Sequence, residues 1–432
     1  VDKANVKKSL IAFPEIRYNG TAAASPQFKS VGSDLYNTVV NDLDVSGYFT
    51  FIKAEAFLEK PSETTLKPFP GDEKGFKFEN WSKIGAEFLA QSSYQIAGKE
   101  VTFDVYVYHV GKASLVMGKS YKGSTDDARR IGHTFANDLV QSLTGKKGMF
   151  LSQIVVSSDR AGNGWKEIYV MDWDGQNVTQ VSKHKSVAIS PTWAPDGKSV
   201  VYSAYAYHKA EKIRNVDLFR YDLYSGKRFV LSQRKGINSG ASFNPAGSSV
   251  YLTISQGGNP DIFKMSPDGN NLIRITNGPA GAMNVEPAIS PDGNKIAFST
   301  DRSGKPMIYV MAIDGSNPQR LTYAGKYNAT PAWSPDGKKI AFSGWDKGRN
   351  DIFIMNPNGT GLERLTTAGR VDGKMSNNED PTFSPDGRHV MFVSDRTGKK
   401  QLYIVNIDGT NERRITVDSH NYFKPKWGWH ER

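Results

Sequence analysis

The phrase Ser-Pro-Asp-Gly recurs along this chain, each time inside the same longer sentence. Pro287-Ala288-Ile289 leads into Ser290-Pro291-Asp292-Gly293 and then Lys295-Ile296-Ala297-Phe298-Ser299. Pro331-Ala332-Trp333 leads into Ser334-Pro335-Asp336-Gly337 and then Lys339-Ile340-Ala341-Phe342-Ser343. Residues 381–394 repeat it, residues 191–203 repeat it with Ala194 in place of Ser, and residues 240–253 hold a degraded copy with Asn244-Pro245-Ala246-Gly247. A period of roughly 44 to 50 residues is that of propeller blades and not of helical solenoids.

Local chemistry says what each unit is. Proline presets φ in a turn, aspartate caps it, and glycine supplies the positive φ that closes a hairpin. Alternating apolar residues flank the turn, so each copy joins two antiparallel strands. A second phrase follows, beginning at Ile168, Leu218, Ile262, Ile308, Ile352 and Leu402, and most of its copies contain Asp-Gly or Asn-Gly. Two hairpins per unit predict a four-stranded blade, and six copies predict six blades. Before Ile168 the first phrase is missing; Gln153-Ile154-Val155-Val156-Ser157 reads as a second strand without a first. Tyr422-Phe423-Lys424-Pro425-Lys426-Trp427 matches that missing strand. The C-terminal strand is therefore expected to complete the first blade and close the ring, which removes its open edges.

Residues 1–147 share no repeat and predict a small α/β domain; residues 148–432 form the propeller, with Gly145-Lys146-Lys147-Gly148 as linker. Strands are expected near Leu10, Phe49, Phe88, Val101 and Leu115, and helices over residues 28–43 and 126–143, where apolar residues recur at helical spacing. No segment is long and apolar enough to span a bilayer as a helix. The chain begins at Val1 and not Met, so a processed or trimmed start is expected.

The search for chemistry is mostly one of exclusion. Cysteine is absent, which removes disulfides, thiolate metal sites and cysteine nucleophiles. The seven histidines show no metal-ligand spacing, and the nucleophile elbow of serine hydrolases and the phosphate-binding loop are both missing. Asp172-Trp173-Asp174-Gly175 has half of a calcium-loop pattern but reads better as the hairpin turn of its repeat. His133 reads as a packing or surface residue of an amphipathic helix, with a functional role as the alternative. The net charge of +11 comes from scattered lysines, and the aromatics fall on strand positions, so nucleic-acid binding is not expected. No catalytic residue, metal or cofactor is expected.

One region stands apart. The segments leading into the inner strands contain Ile237-Asn238-Ser239, Asn284-Val285-Glu286, Asn328-Ala329-Thr330, Asn377-Asn378-Glu379-Asp380 and Asn421-Tyr422-Phe423. One reading is that asparagine recurs because it tolerates a turn before a strand. Alternatively, these residues form a ring of amide groups around one mouth of the channel, with carboxylates from Glu286, Glu379 and Asp380, suited to a peptide or partner loop. Other readings are a carbohydrate-binding propeller, with Trp333, Trp345, Trp427 and Trp429 stacking on sugars, and a hydrolase using a carboxylate pair.

The chain resembles the TolB family, the periplasmic components of the Tol–Pal cell-envelope system. The resemblance rests on the repeats, on Ser46-Gly47-Tyr48-Phe49, on Trp81-Ser82-Lys83-Ile84-Gly85, and on the junction from Arg130 through Gly132-His133-Thr134 to Leu143-Thr144-Gly145 and Gly148. It implies a non-enzymatic, monomeric periplasmic scaffold. Such a protein binds the lipoprotein Pal at one propeller mouth and TolA through its N-terminal segment, shares that mouth with colicin-type toxins in some species, and reaches the envelope through its partners. The Pal-facing positions it implies include Asn238, Val285 and Glu286; with the mouth segments, the expected partner-binding set is Asn238, Ser239, Asn284, Val285, Glu286, Asn328, Ala329, Asn378, Glu379, Asp380 and Tyr422. Of the family's N-terminal box only Val1-Asp2 is matched.

Overall fold

The structure, a computed structural model, describes residues 7–367, 369 and 373–428. It divides into two compact units, Val1–Leu151 and Ser152–Arg432. In the first, strands run in the order Phe49–Phe51, Ser9–Ala12, Phe88–Ala97, Glu100–His109 and Ser114–Ser124, with Arg17–Tyr18 also paired to Phe88–Ala97. Two helices, Pro26–Ser46 and Ala128–Thr144, accompany the sheet. The first starts where Ser25 Oγ accepts the Phe28 N–H at 3.2 Å, with Pro26 at the first turn, and stops at Gly47 with φ +74°. His133 is buried in the second helix with Nδ1 2.6 Å from Asp42 Oδ2, so it is not a surface residue of that helix.

The second unit is a ring of six four-stranded antiparallel sheets. The first blade is ordered Tyr422–Gly428, Gln153–Ser158, Glu167–Asp172, Thr179–Gln180, so the last strand of the chain does close the ring. The junction is locked by side chains. Asn421 Nδ2 donates to Asp159 Oδ2 at 2.7 Å, and Arg160 Nη1 donates to both the Tyr422 hydroxyl and Asp418 Oδ2 at 2.8 Å.

The Ser-Pro-Asp-Gly turns behave as their chemistry requires. Ser334 Oγ donates to Asp336 Oδ1 at 2.6 Å and accepts the Lys339 N–H at 2.9 Å. In the degraded third-blade copy, Asn244 Oδ1 accepts the Ser249 N–H at 2.9 Å, so the turn survives without its aspartate. Asp174 likewise sits in a plain hairpin, its Oδ1 accepting the Gln176 N–H at 3.2 Å.

Two of the Asp-Gly turns also press hard on the preceding blade. A Cβ on Gly269 would lie 2.1 Å from the Leu231 carbonyl oxygen, and one on Gly315 would lie 2.3 Å from that of Ile275. Glycine is therefore required there twice over, for its positive φ and for the close approach. All these turns lie at one end of the ring, the turn end. The opposite, loop end carries the segments that lead into each inner strand.

Candidate functional site

The inner strands begin at Ala188, Asn238, Asn284, Asn328, Asn378 and Tyr422, and every one of these residues is buried. The asparagines do not form an open ring of amides, which corrects that expectation for Asn238, Asn284, Asn328 and Asn378. They are clamps to the preceding blade. Asn378 Nδ2 donates to Asp351 Oδ1 at 3.0 Å, and Thr366 Oγ1 donates to the same oxygen at 2.9 Å. Asn284 makes the same bond to Asp261 at 3.0 Å, joined by Thr276 at 2.7 Å. Where Met307 replaces the acid, Asn328 Nδ2 turns to the Ala324 carbonyl at 3.1 Å. Asn238 Nδ2 donates to the carbonyls of Val216 and Arg234, and its Oδ1 accepts from Ser232 Oγ at 2.6 Å. A buried amide needs internal partners, so a recurring asparagine beside a recurring Asp and Thr marks a repeated inter-blade bond. Tyr422 is equally buried, its hydroxyl committed to Arg160 and Asp418, so it belongs to ring closure and not to an exposed surface.

The next residues along, Ser239, Val285, Ala329 and Glu379, are partly exposed on the loop end. Glu379 accepts from Lys400 Nζ at 3.2 Å and from Asn350 Nδ2 at 3.3 Å.

The third position is the one that enters the channel. Ser190, Gly240, Glu286, Thr330, Asp380 and Lys424 all have positive φ, between 50° and 65°. Each sits at a break in register between the inner strand and its neighbour. Proline explains the pattern. Five of the six precede Pro, which cannot donate to the ladder and which disfavours right-handed helical φ/ψ in the residue before it, so a bulge forms. The sixth precedes Ala241 and is itself glycine. The bulge turns these side chains into a cavity of about 510 Å³, whose walls run from this ring of residues to Pro291, Pro335 and Pro385 of the turns.

Lys424 reaches across that cavity. Its Nζ lies 3.0 Å from Asp380 Oδ1 and 3.4 Å from Glu286 Oε1, while Glu286 Oε2 accepts the Thr330 N–H at 2.7 Å. Burial alone would pull the Lys424 ammonium below its ordinary value. The Asp380 and Glu286 carboxylates outweigh burial and hold it above. Lys426 also lines the cavity and is pushed the other way, by burial first and then by the charge of Lys424. Glu286 and Asp380 thus come together on the axis, while Glu379 stands apart. Ser190, Lys424 and Lys426 were not singled out from sequence, and Thr330 appeared only as the end of a mouth segment, although the proline one residue on signalled a bulge at five of the six positions.

The tryptophan column is structural. Trp193 Nε1 donates to the Lys426 carbonyl at 3.0 Å and Trp333 Nε1 to that of Ala288 at 2.9 Å, each tying its inner strand to the blade before. Trp427 Nε1 donates to Ser152 Oγ at 2.7 Å. Trp345 stacks on Tyr327 with centroids 5.9 Å apart. Trp429, like Val1 and Asp2, lies outside the described residues.

Fold and channel together define a propeller protein with a small α/β unit ahead of the ring and charged groups bridging its axis. Residues 140–372 and 328–432 match the TolB beta propeller domain, and residues 1–116 match the TolB amino-terminal domain. The chain belongs to the TolB family. It is 31% identical over 261 residues to the Tol-Pal system protein TolB of Desulfosudis oleivorans, covering 60% of this chain and 56% of that one. It is 37% identical over 172 residues to the protein of the same name from Syntrophotalea carbinolica, covering 40% and 38%. The chain thus spans about half or less of the length of these curated relatives. The crystal structure of TolB from Acinetobacter baumannii shares the fold with a TM-score of 0.77 at 24% identity, over 97% of this chain and 96% of that one. Among the described residues no helix is long and apolar enough to cross a membrane.

Proposed function

We propose that this chain is a non-enzymatic periplasmic scaffold of the Tol–Pal system. It binds Pal at the loop end of the ring and TolA through the N-terminal segment that contains Val1 and Asp2, and so supports outer-membrane integrity and constriction at division. Colicin-type toxins would compete for the same mouth. The observation that carries the reading is the contrast along four inner strands: the first residue is buried as a clamp, whereas Ser239, Val285, Ala329 and Glu379 beside it are partly exposed at the loop end. Family membership supports the choice of partner. On the axis, the two converging carboxylates, Glu286 and Asp380, are both bonded to Lys424, which favours a scaffold over a glycosidase-type acid and base there.

The test is titration calorimetry with the soluble domain of Pal. Interface hot spots are worth about 2 kcal/mol or more each. Ser239→Arg and Glu379→Lys should therefore weaken binding by about thirtyfold. Asp268→Ala and Asp408→Ala, in turns at the opposite end, should leave it within a factor of about three. Affinity that falls with the turn substitutions and ignores the loop-end ones would place the interface on the wrong end.

A further inference from the structure

The second blade departs from its siblings at the loop end. Its middle strands, Ser199–His208 and Ile213–Asp222, are ten residues each, against six for Lys295–Thr300 and Met307–Ala312 in the fourth blade. The extra length is a two-stranded hairpin paired without a break from Ala204↔Asp217 to His208↔Ile213. Side chains alternate along such a ribbon. Tyr205, Tyr207, Arg214 and Val216 share one face, and Val216 bridges Ile237 at the start of the next blade. Tyr205 is 48% exposed, Tyr207 59% and Ile237 48%, so three large apolar groups lie open side by side, next to Ser239. The opposite face is held down: His208 Nε2 lies 2.7 Å from Asp217 Oδ2, and Asn215 bonds the Arg234 carbonyl and the Gly236 N–H. The hairpin is thus braced, and its exposed face is not a product of looseness.

Two further features say what this face would take. The first is an unpaired edge. The Tyr205 N–H donates to the Val187 carbonyl at 3.2 Å, the last bond on the inner side of that strand. Two residues on, the Tyr207 N–H and C=O point the same way, and no strand among the described residues lies beside them. The second is charge. Lys209, Lys212 and Arg214 surround the tip against one acid, Glu211, and Lys235 stands exposed beside Ile237.

We propose that an extended acidic segment of a protein partner docks on this hairpin. Its backbone pairs with the Tyr207 edge, its apolar side chains cover Tyr205, Tyr207 and Ile237, and its carboxylates face Lys209, Lys212, Arg214 and Lys235. This is strand addition to an open sheet edge, with main-chain bonds giving affinity and alternate side chains giving selectivity. The proposal deepens the loop-end reading above and rests on it only for the choice of end.

The test uses a fluorescein-labelled ten-residue peptide of alternating Glu and Val, and its Lys-for-Glu counterpart, with the full chain and fluorescence anisotropy. The Glu peptide should bind at least tenfold more tightly than the Lys peptide, and its affinity should fall as salt rises. Tyr207→Pro removes the edge N–H without touching a ladder bond and should weaken the Glu peptide at least tenfold. The pair Lys212→Glu with Arg214→Glu, which leaves the backbone intact, should do the same. Equal binding of the two peptides, no binding, or binding indifferent to both variants overturns the proposal. So does a hairpin-dependent dimer in sedimentation, or selective binding of phosphatidylglycerol vesicles in place of the Glu peptide. Pal measured against the same variants separates the two claims. Pal binding that survives them leaves the scaffold reading standing without this surface, and loss of Pal binding in the wild type alone leaves the peptide result intact.

Discussion

At the turn end of the ring, Gly269 and Gly315 lie against the carbonyls of the preceding blade with no room for a methyl group, and Ser-Pro-Asp-Gly closes blade after blade with the same hydrogen bonds. At the loop end, hairpins differ in length, one carries open tyrosines, and Glu379 reaches for Lys400 on the surface. The turn end repeats because each of its residues is constrained by two blades at once. The loop end varies because, beyond the buried asparagine clamps, its hairpin tips and connecting segments are constrained by one blade or by none. In a radial fold the constrained end carries stability, and the free end is left to carry recognition.

Four measurements would break or sharpen that contrast. Deleting the chain from Tyr422 onward leaves Gln153–Ser158 as a bare inner edge and should lower Tm by about 10 °C or more; an unchanged Tm would mean that the ring does not depend on its closing strand. Next in size, Gly269→Ala combines positive φ with a clash against backbone, whereas Gly257→Ala, at φ +87° with nothing within 4 Å, meets only the first. The positive φ costs about 1–2 kcal/mol in both, so denaturant unfolding should show Gly269→Ala as clearly the worse of the two.

The third comparison sits within one dipeptide. Asn378→Ala strips a buried partner from Asp351 and should cost about 1–3 kcal/mol. Glu379→Lys, one residue on, partly exposed and held only by the surface bonds to Lys400 and Asn350, should cost no more than about 1 kcal/mol. Equal effects would mean that both residues are structural. The smallest effect concerns acid. Burial would push the Asp418 carboxyl up, but the Tyr422 hydroxyl, the His420 N–H and Arg160 outweigh it and hold the group below its ordinary value. A depressed carboxyl adds stability above the ordinary aspartate range near 3.9, and that contribution is lost as pH falls through the lower folded value. Asp418→Asn should therefore flatten the loss of Tm between about pH 4 and pH 2, and a slope identical to wild type would remove Asp418 from the closure lock.

The asparagine column shows how a legible signal can be assigned to the wrong cause. Its recurrence was plain in the sequence, as were the aspartates at Asp261 and Asp351 and the threonines at Thr276 and Thr366. What could not be read was that these three come from separate segments and meet across a blade boundary. The channel lining was hidden for a similar reason. A side chain two residues from Asn284 would, in a regular strand, share its face and be buried with it. The bulge before Pro287 reverses that alternation and delivers Glu286 to the axis.

Blade number, blade composition, the two hairpins per blade and the closing strand were determined by the sequence alone, because each depends on local rules: which residues accept positive φ, which alternate, and which phrase lacks its partner. The meeting of Lys424 with Glu286 and Asp380 depends on something else. The lysine is 138 residues from one acid and 44 from the other, and the three share no local pattern. Only the closing of six blades about one axis brings them within hydrogen-bonding range, and only the twist and bulge of each inner strand decide which side chain points inward when it does.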